Sequence, residues 1–182
     1  MPAAFDGSAH RRAAERRTAQ LVRELADELL TGKARLYTLE AEIEQLVAGH
    51  PDGALIHSLP GMGGALTAEF LAAVGDIRHF ASGDALAAVS GLSPVLSQSG
   101  KVRYSRSATG GDKVLKRVFY QAASCSMQRD PTSRAFYDRK RAEGKRHHQA
   151  LTVLARRKIN VRYAILRDRH PYDARPTIRL VA

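Results

Sequence analysis

Between Val22 and Leu46, apolar residues recur at alternating three- and four-residue steps: Val22, Leu25, Leu29, Leu36, Leu39, Ile43 and Leu46. One position of the series is empty, and Gly32 stands there. The spacing predicts a helical arm over residues 10–50 with the seam of a short coiled coil, because a 3.5-residue repeat keeps one stripe in register on an α-helix. Glycine at the vacant position removes a knob and costs about 1 kcal/mol of helix propensity, so a bend or a two-helix hairpin can form there. The seam serves either packing on the chain's own domain or self-association. Residues 1–9, small and polar with Pro2 and Gly7, read as a disordered start. His50-Pro51-Asp52-Gly53 marks the end of the arm, since proline restricts its predecessor and glycine breaks a helix.

A compact domain is predicted over 54–170, with a tail over 171–182. Within it, Leu55, Ile56 and Leu59 run into Pro60-Gly61-Met62-Gly63-Gly64 and then an apolar stretch from Leu66 to Val74, a helix-hairpin-helix pattern over 54–75. The amides that open the second helix lack internal acceptors, and with the helix dipole they form a ready phosphate clamp at Gly61, Gly63, Gly64 and Thr67. An ordinary helix–helix turn fits the same residues. Ser82 caps a short helix to Val89, and Ser90–Gly111 is irregular with a strand-like Val102-Arg103-Tyr104. Asp112 caps a helix whose apolar face is Val114, Leu115, Val118, Phe119 and Ala122. Asp130-Pro131 opens another helix carrying Phe136 and Tyr137. A last helix from about His147 to Arg167 buries Leu151, Leu154, Val161 and Ile165 and presents Arg156, Arg157 and Lys158. The fold class is mainly α with minimal sheet.

Charge changes the picture. The chain's formal net charge is +11, yet the segment from Ser97 to His170 alone holds nineteen Lys and Arg against five Asp and Glu, a net +14. One segment carries the whole excess, the footprint of a polyanionic partner; a merely solvated face normally mixes both signs. Nucleic acid is the partner that chemistry selects, with Lys101, Arg103, Arg106, Lys113, Lys116, Arg117, Arg139, Lys140, Arg156 and Arg157 as its candidate contacts. Cys125 is the sole cysteine, which excludes an intramolecular disulfide and a cysteine-based zinc site. The start lacks an apolar signal core, and no apolar run spans a bilayer, so the expected setting is the cytoplasm without a membrane partner.

No Asp, Glu or His cluster has metal-ligand spacing; the adjacent His147 and His148 point about 100° apart on a helix and cannot chelate together. In Ser97-Gln98-Ser99-Gly100-Lys101 a hydroxyl sits beside glycine and ahead of Lys101, Arg103, Arg106 and Lys113, a set able to meet a scissile phosphate. Ser-Gly is equally common turn chemistry.

Taken in order, several short motifs resemble the C-terminal half of insertion-sequence transposases of the one-ten family, bridge-RNA-guided recombinases that combine an Asp-Glu-Asp-Asp domain with a serine. They are Leu59-Pro60-Gly61-Met62-Gly63 with Thr67-Ala68, Gly75-Asp76 with Phe80, Gly91-Leu92-Ser93-Pro94, Ser99-Gly100-Lys101, Leu115-Lys116-Arg117, Phe136-Tyr137-Asp138-Arg139-Lys140-Arg141 through Gly144-Lys145, and Ala155-Arg156-Arg157. The resemblance runs from about Arg12 to Tyr172, with the arm matching the family's coiled-coil connector. It implies that Ser99 is a nucleophile forming a phosphoserine link to DNA, and that the hairpin and basic helices hold DNA and guide RNA. The family's amino-terminal ribonuclease-H-like domain, which holds Mg²⁺ on four carboxylates, has no counterpart in this sequence. Mg²⁺ is therefore expected only with that domain, and no cofactor in this chain. Gly110-Gly111-Asp112 departs from the Gly-Asn common in the family.

The leading expectation is thus a DNA-recombination domain bearing the serine half of a composite site, working as a homo-oligomer or with full-length transposase. Two others stand beside it: a non-catalytic nucleic-acid-binding protein that co-assembles with full-length transposase and regulates it, and a helix-hairpin-helix repair-type protein. Against the last, no lysine or aspartate follows the hairpin at a glycosylase-like position.

Overall fold

The chain is seen here as a computed structural model that describes the backbone of residues 7–99, 102–106 and 110–172, and the side chains of 11–94 and 110–172. The chain divides into two units, Met1–Glu42 and Ile43–Ala182. Helix α1 spans Gly7–Gly49. It runs through Gly32 without interruption, so the two-helix hairpin does not form; with nothing within 4 Å of a Cβ built at Gly32, that position is open. From Arg11 to Glu42 every residue is exposed. The expected disordered start falls for the most part outside the described residues, as does the tail beyond Tyr172.

The second unit is mainly α. Ile43 to Gly49 complete α1, and Val47 is buried there. Then follow α2 (Gly53–His57), α3 (Gly64–Val74), a 3₁₀ turn (Ile77–His79) and α4 (Gly83–Val89). The strands β1 (Val95–Ser99) and β2 (Val102–Arg106) come next, then α5 (Lys113–Arg129), α6 (Pro131–Ala142) and α7 (His147–Asp168). The expected capping residues act: Ser82 accepts from the Ala85 amide at 3.1 Å, and Asp112 accepts from the Leu115 amide at 2.8 Å. Asp130 accepts from the Thr132 and Ser133 amides, one residue ahead of Pro131.

Helix α5 packs against α3, α6 and α7. Its Leu115, Val118, Phe119, Ala122 and Ala123 are all buried at helical spacing, and Phe119 meets Phe70 of α3 edge-on with centroids 5.7 Å apart. Val114, placed on that face by sequence, is 43% exposed because it lies one residue before the buried row. Val161 of α7 is only half-buried.

The segment read as irregular holds a two-stranded antiparallel ribbon, so the strand-like Val102–Tyr104 has a partner. Val95 pairs with Arg106, Ser97 with Tyr104 and Ser99 with Val102. The ribbon leaves the helical body at Gly91 and returns at Gly111, where the two backbones touch. A Cβ at Gly91 would lie 2.2 Å from the Gly110 carbonyl oxygen, and one at Gly111 2.5 Å from the Gly91 nitrogen. Both glycines have positive φ, 64° and 100°, which only glycine adopts without strain.

Candidate nucleic-acid interface

The turn between α2 and α3 is seated on α5. Gly61 has φ 86°, and a Cβ there would lie 2.3 Å from the Ala122 carbonyl and 2.5 Å from the Ser126 hydroxyl. That hydroxyl is 2.5 Å from the Pro60 carbonyl and 2.7 Å from the Ala122 carbonyl, and donates to one or the other. The turn therefore presents its outer side only. Gly63 is exposed with open space around it. Gly64 is buried, and its amide donates to Glu44 Oε1 at 3.1 Å. A carboxylate of this chain thus already satisfies one of the amides that a phosphate would meet, while those of Ala65 and Leu66 have no acceptor among the described residues. Glu44 also lies 4.0 Å from His57 Nδ1. Thr67 is completely buried, and its hydroxyl has no partner among the described residues. A contact from Thr67 to DNA would need that packing to open, so its place is in the core of α3.

Ser99 closes β1 opposite Val102, at the open end of the ribbon. Gly100 and Lys101 lie outside the described residues. Arg103 and Arg106 belong to β2, where only the backbone is described.

The cations on the helices divide by what already neutralises them. Arg117 donates to Glu69 at 2.6 Å. Arg156 pairs with Asp84 and donates to Asn160 at 2.9 Å. Lys140 pairs with Glu143 at 2.8 Å. Lys113 and Lys116 line a shallow cleft with Arg117 and Tyr120. Arg139 and Arg157 are exposed and have no carboxylate partner among the described residues. Exposed pairs such as Arg117–Glu69 contribute under about 1 kcal/mol, so a phosphate can displace them.

Lys158 departs from the expected surface role. It is buried beside Asp130 at 3.8 Å, and burial, aided by nearby Arg162, pulls its ammonium pKa down from 10.5 to about 8. Burial pushes the Asp130 carboxyl up, but hydrogen bonds from Ser133 and the charge of Lys158 outweigh it and hold the group below its ordinary range. One turn further on, Arg162 is fully buried, and its three guanidinium nitrogens have no hydrogen-bond partner among the described residues. Its charge rests over the Phe119 ring at 5.4 Å, and desolvation lowers its pKa to about 10. The sequence did hold a signal: Leu151, Leu154, Lys158, Arg162, Ile165 and Leu166 form one helical stripe. Glu44 had none, since its contact is made only when α1 meets α3.

Among the described residues, no group of three or more His, Cys, Asp or Glu comes together to hold a metal. The donor set among the described residues does not fit Mg²⁺. No described helix is long and apolar enough to cross a membrane.

The described domain is mainly helical, with cationic residues on α5, α6 and α7 and a serine at the end of β1. Residues 53–138 match the Transposase IS116/IS110/IS902 family. The chain is 44% identical over 161 residues to the Insertion element IS900 uncharacterized 42 kDa protein of Mycobacterium paratuberculosis, covering 87% of this chain and 40% of that protein. It is 39% identical over 156 residues to the Insertion element IS110 uncharacterized 43.6 kDa protein of Streptomyces coelicolor, covering 85% and 38%. Similarity to the Pilin gene-inverting protein of Moraxella bovis is 31% identity over 144 residues, 75% of this chain and 45% of that protein. The chain belongs to the IS110 family of insertion-sequence transposases, and it spans about two fifths of the length of the first two of these relatives.

Proposed function

We propose that this chain is the DNA-holding, serine-bearing part of an insertion-sequence transposase that cleaves and rejoins DNA strands. The observation that carries the reading is that the family match over 53–138 encloses the ribbon ending in Ser99, the turn at Gly61–Gly64 and all of α5. The Moraxella relative bears the name of a gene-inverting protein, and DNA rearrangement is the activity carried here to this chain. In this reading α2 and α3 act as a helix-hairpin-helix, with phosphate displacing Glu44 from the Gly64 amide. The basic faces of α5, α6 and α7 hold DNA and guide RNA through phosphate contacts. The seam of α1 joins copies of the chain, or joins it to full-length transposase, as a coiled coil.

Ser99 is the nucleophile. Its Oγ forms a bond to the phosphorus of a DNA phosphodiester as the bond from phosphorus to the leaving deoxyribose oxygen breaks. The serine proton passes to a base on a separate carboxylate-bearing domain, and the leaving oxygen takes up a proton in turn. A serine hydroxyl needs such a base at neutral pH, and cations to hold the non-bridging oxygens; Lys101, Arg103 and Arg106 supply the cations.

Two measurements test this. Affinity for labelled duplex DNA should fall steeply as salt rises, and a salt-insensitive affinity would remove the basic helices from the interface. Supplied in trans with the carboxylate domain of a close relative, its guide RNA and Mg²⁺, the chain should form a covalent protein–DNA adduct on a denaturing gel. Ser99→Ala should abolish the adduct and leave duplex affinity nearly unchanged. An adduct that survives Ser99→Ala would move the nucleophile to Ser97 or Ser105, and efficient cleavage by the chain alone would overturn the composite site.

A further inference from the structure

We infer that Phe136, with Arg139 and Arg157, forms a stacking site for an unpaired base of a DNA strand, distinct from the phosphate contacts that hold duplex. The inference rests on the reading of this chain as a DNA-handling domain.

Phe136 lies mid-way along α6 and is half-buried. Three cations converge on its ring from two helices: Arg157 of α7 at 4.7 Å from the centroid, Arg139 at 5.1 Å and Lys140 at 5.6 Å. The carboxylates nearby are already engaged. Asp130 caps α6 and faces Lys158, Asp138 pairs with Arg134 at 2.9 Å, and Glu143 pairs with Lys140. Arg157 is therefore left with an aromatic ring and no carboxylate partner among the described residues, and Arg139 shares only the charge of Glu143, which Lys140 already pairs. Both lie close to one centroid, so they are within about 10 Å of each other, near the Debye length, where like charges still repel.

That arrangement has a missing component of definite chemistry. The ring and the planar guanidiniums offer faces for π-stacking, and the two charges call for an anion a few ångströms away. An acidic side chain would satisfy the charges but has no face to stack. A nucleotide supplies a base and a phosphate on one covalent frame and satisfies both. The cleft between α6 and α7 has room for it: about 490 Å³, lined by Pro131, Thr132, Ala135, Phe136, Arg139 and Arg157, with no carboxylate in its wall. In intact duplex the base faces are occupied by neighbouring base pairs, so only an unpaired or extruded nucleotide can enter. Strand exchange between DNA duplexes produces such nucleotides, and DNA is accordingly the strand assigned to the site.

The test compares Phe136→Leu, which keeps apolar bulk against the core, with wild type on three probes of one sequence: single-stranded DNA, duplex DNA and single-stranded RNA. Phe136→Leu should weaken single-stranded DNA about 10-fold, as loss of one stacked base does, with duplex affinity changed less than two-fold and the salt slope unaltered. Arg157→Gln should weaken single-stranded DNA and also lower the salt slope by about one. Photo-crosslinking of wild type to an oligodeoxynucleotide carrying 5-iodouracil should place the adduct on Phe136, a readout that does not depend on the variant folding. Unchanged single-stranded affinity in folded Phe136→Leu, a loss confined to RNA, or adducts only elsewhere would each overturn the inference while leaving duplex binding and the proposed function intact. Failure of wild type to bind any of the three probes would sink the proposed function with it.

Discussion

Helix α1 and helix α5 carry the same kind of apolar stripe and meet opposite fates. In α1, Leu25, Leu29 and Leu36 are 63%, 68% and 53% exposed; in α5, Leu115, Val118 and Phe119 are essentially sealed. The arm from Gly7 to Glu42 has seven basic and six acidic residues, whereas the segment from Ser97 to His170 is net +14. A periodic stripe therefore specifies a helix and a face, but burial requires a complementary surface, which α5 finds on α3, α6 and α7. The uncovered row on α1, with balanced charge beside it, has the chemistry of a seam; the charge excess on the domain has the chemistry of a polyanion site.

The contrast is broken most directly in the core. Phe119→Ala should cost about 3–5 kcal/mol by thermal or denaturant unfolding, through cavity formation and loss of the ring beneath Arg162. Leu29→Ala in the arm should leave the domain's unfolding midpoint within experimental scatter and weaken self-association in sedimentation. Equal losses of stability would mean that the arm is part of the same cooperative unit.

Glycines sharpen it next. Gly61→Ala introduces a Cβ against Ala122 and Ser126 at positive φ, and should destabilise the domain by at least about 2 kcal/mol. Unfolding midpoints measure that directly. Gly32→Leu has open space and restores the missing knob, so it should raise helix content and tighten self-association, with about 1 kcal/mol from propensity alone. If both wild type and a chain lacking the arm through Gly49 sediment as monomers, the seam joins nothing.

Lys158 gives a pH signature that belongs to the domain alone. Its folded pKa of about 8 lies below the ordinary 10.5, so between these values the unfolded chain binds a proton that the folded one does not. Stability from this group is present above pH 10.5, falls as pH drops through that window, and is lost below 8, a change on the order of 3 kcal/mol. Lys158→Met should flatten that part of the pH–stability profile relative to wild type; an identical profile would show that the ammonium is solvated. The smallest effect is expected at Glu44→Gln, which weakens the acceptor at the Gly64 amide and should raise duplex affinity only two- to three-fold at low salt.

Much of the fold was legible because its signals are local. Ser82, Asp112 and Asp130 act as caps where short polar side chains precede apolar helical rows, and Gly75, with φ 61°, ends α3. The ribbon was half-read, since Val95 to Ser99 is short and ends in polar residues, and its identity as a strand comes from pairing with β2. Lys158 was placed on the surface by residue type, although its stripe was that of the buried leucines. Thr67 was drawn to the phosphate clamp by its place at a helix start, and the fold sends it inward instead.

By itself, then, the sequence determined the helices, their caps, the apolar row along α1 and the sign of the charge, because each depends on neighbours within about one helical turn or on a simple sum of residues. Only the tertiary structure decided which cations are spent: Arg117 on Glu69 across 48 residues, Arg156 on Asp84 across 72, Arg162 on the face of Phe119, and Arg139 with Arg157 gathered around Phe136. Those pairings cannot be read from spacing, because whether two charges meet depends on how helices far apart in the chain dock. Docking is set by the fit of their apolar faces.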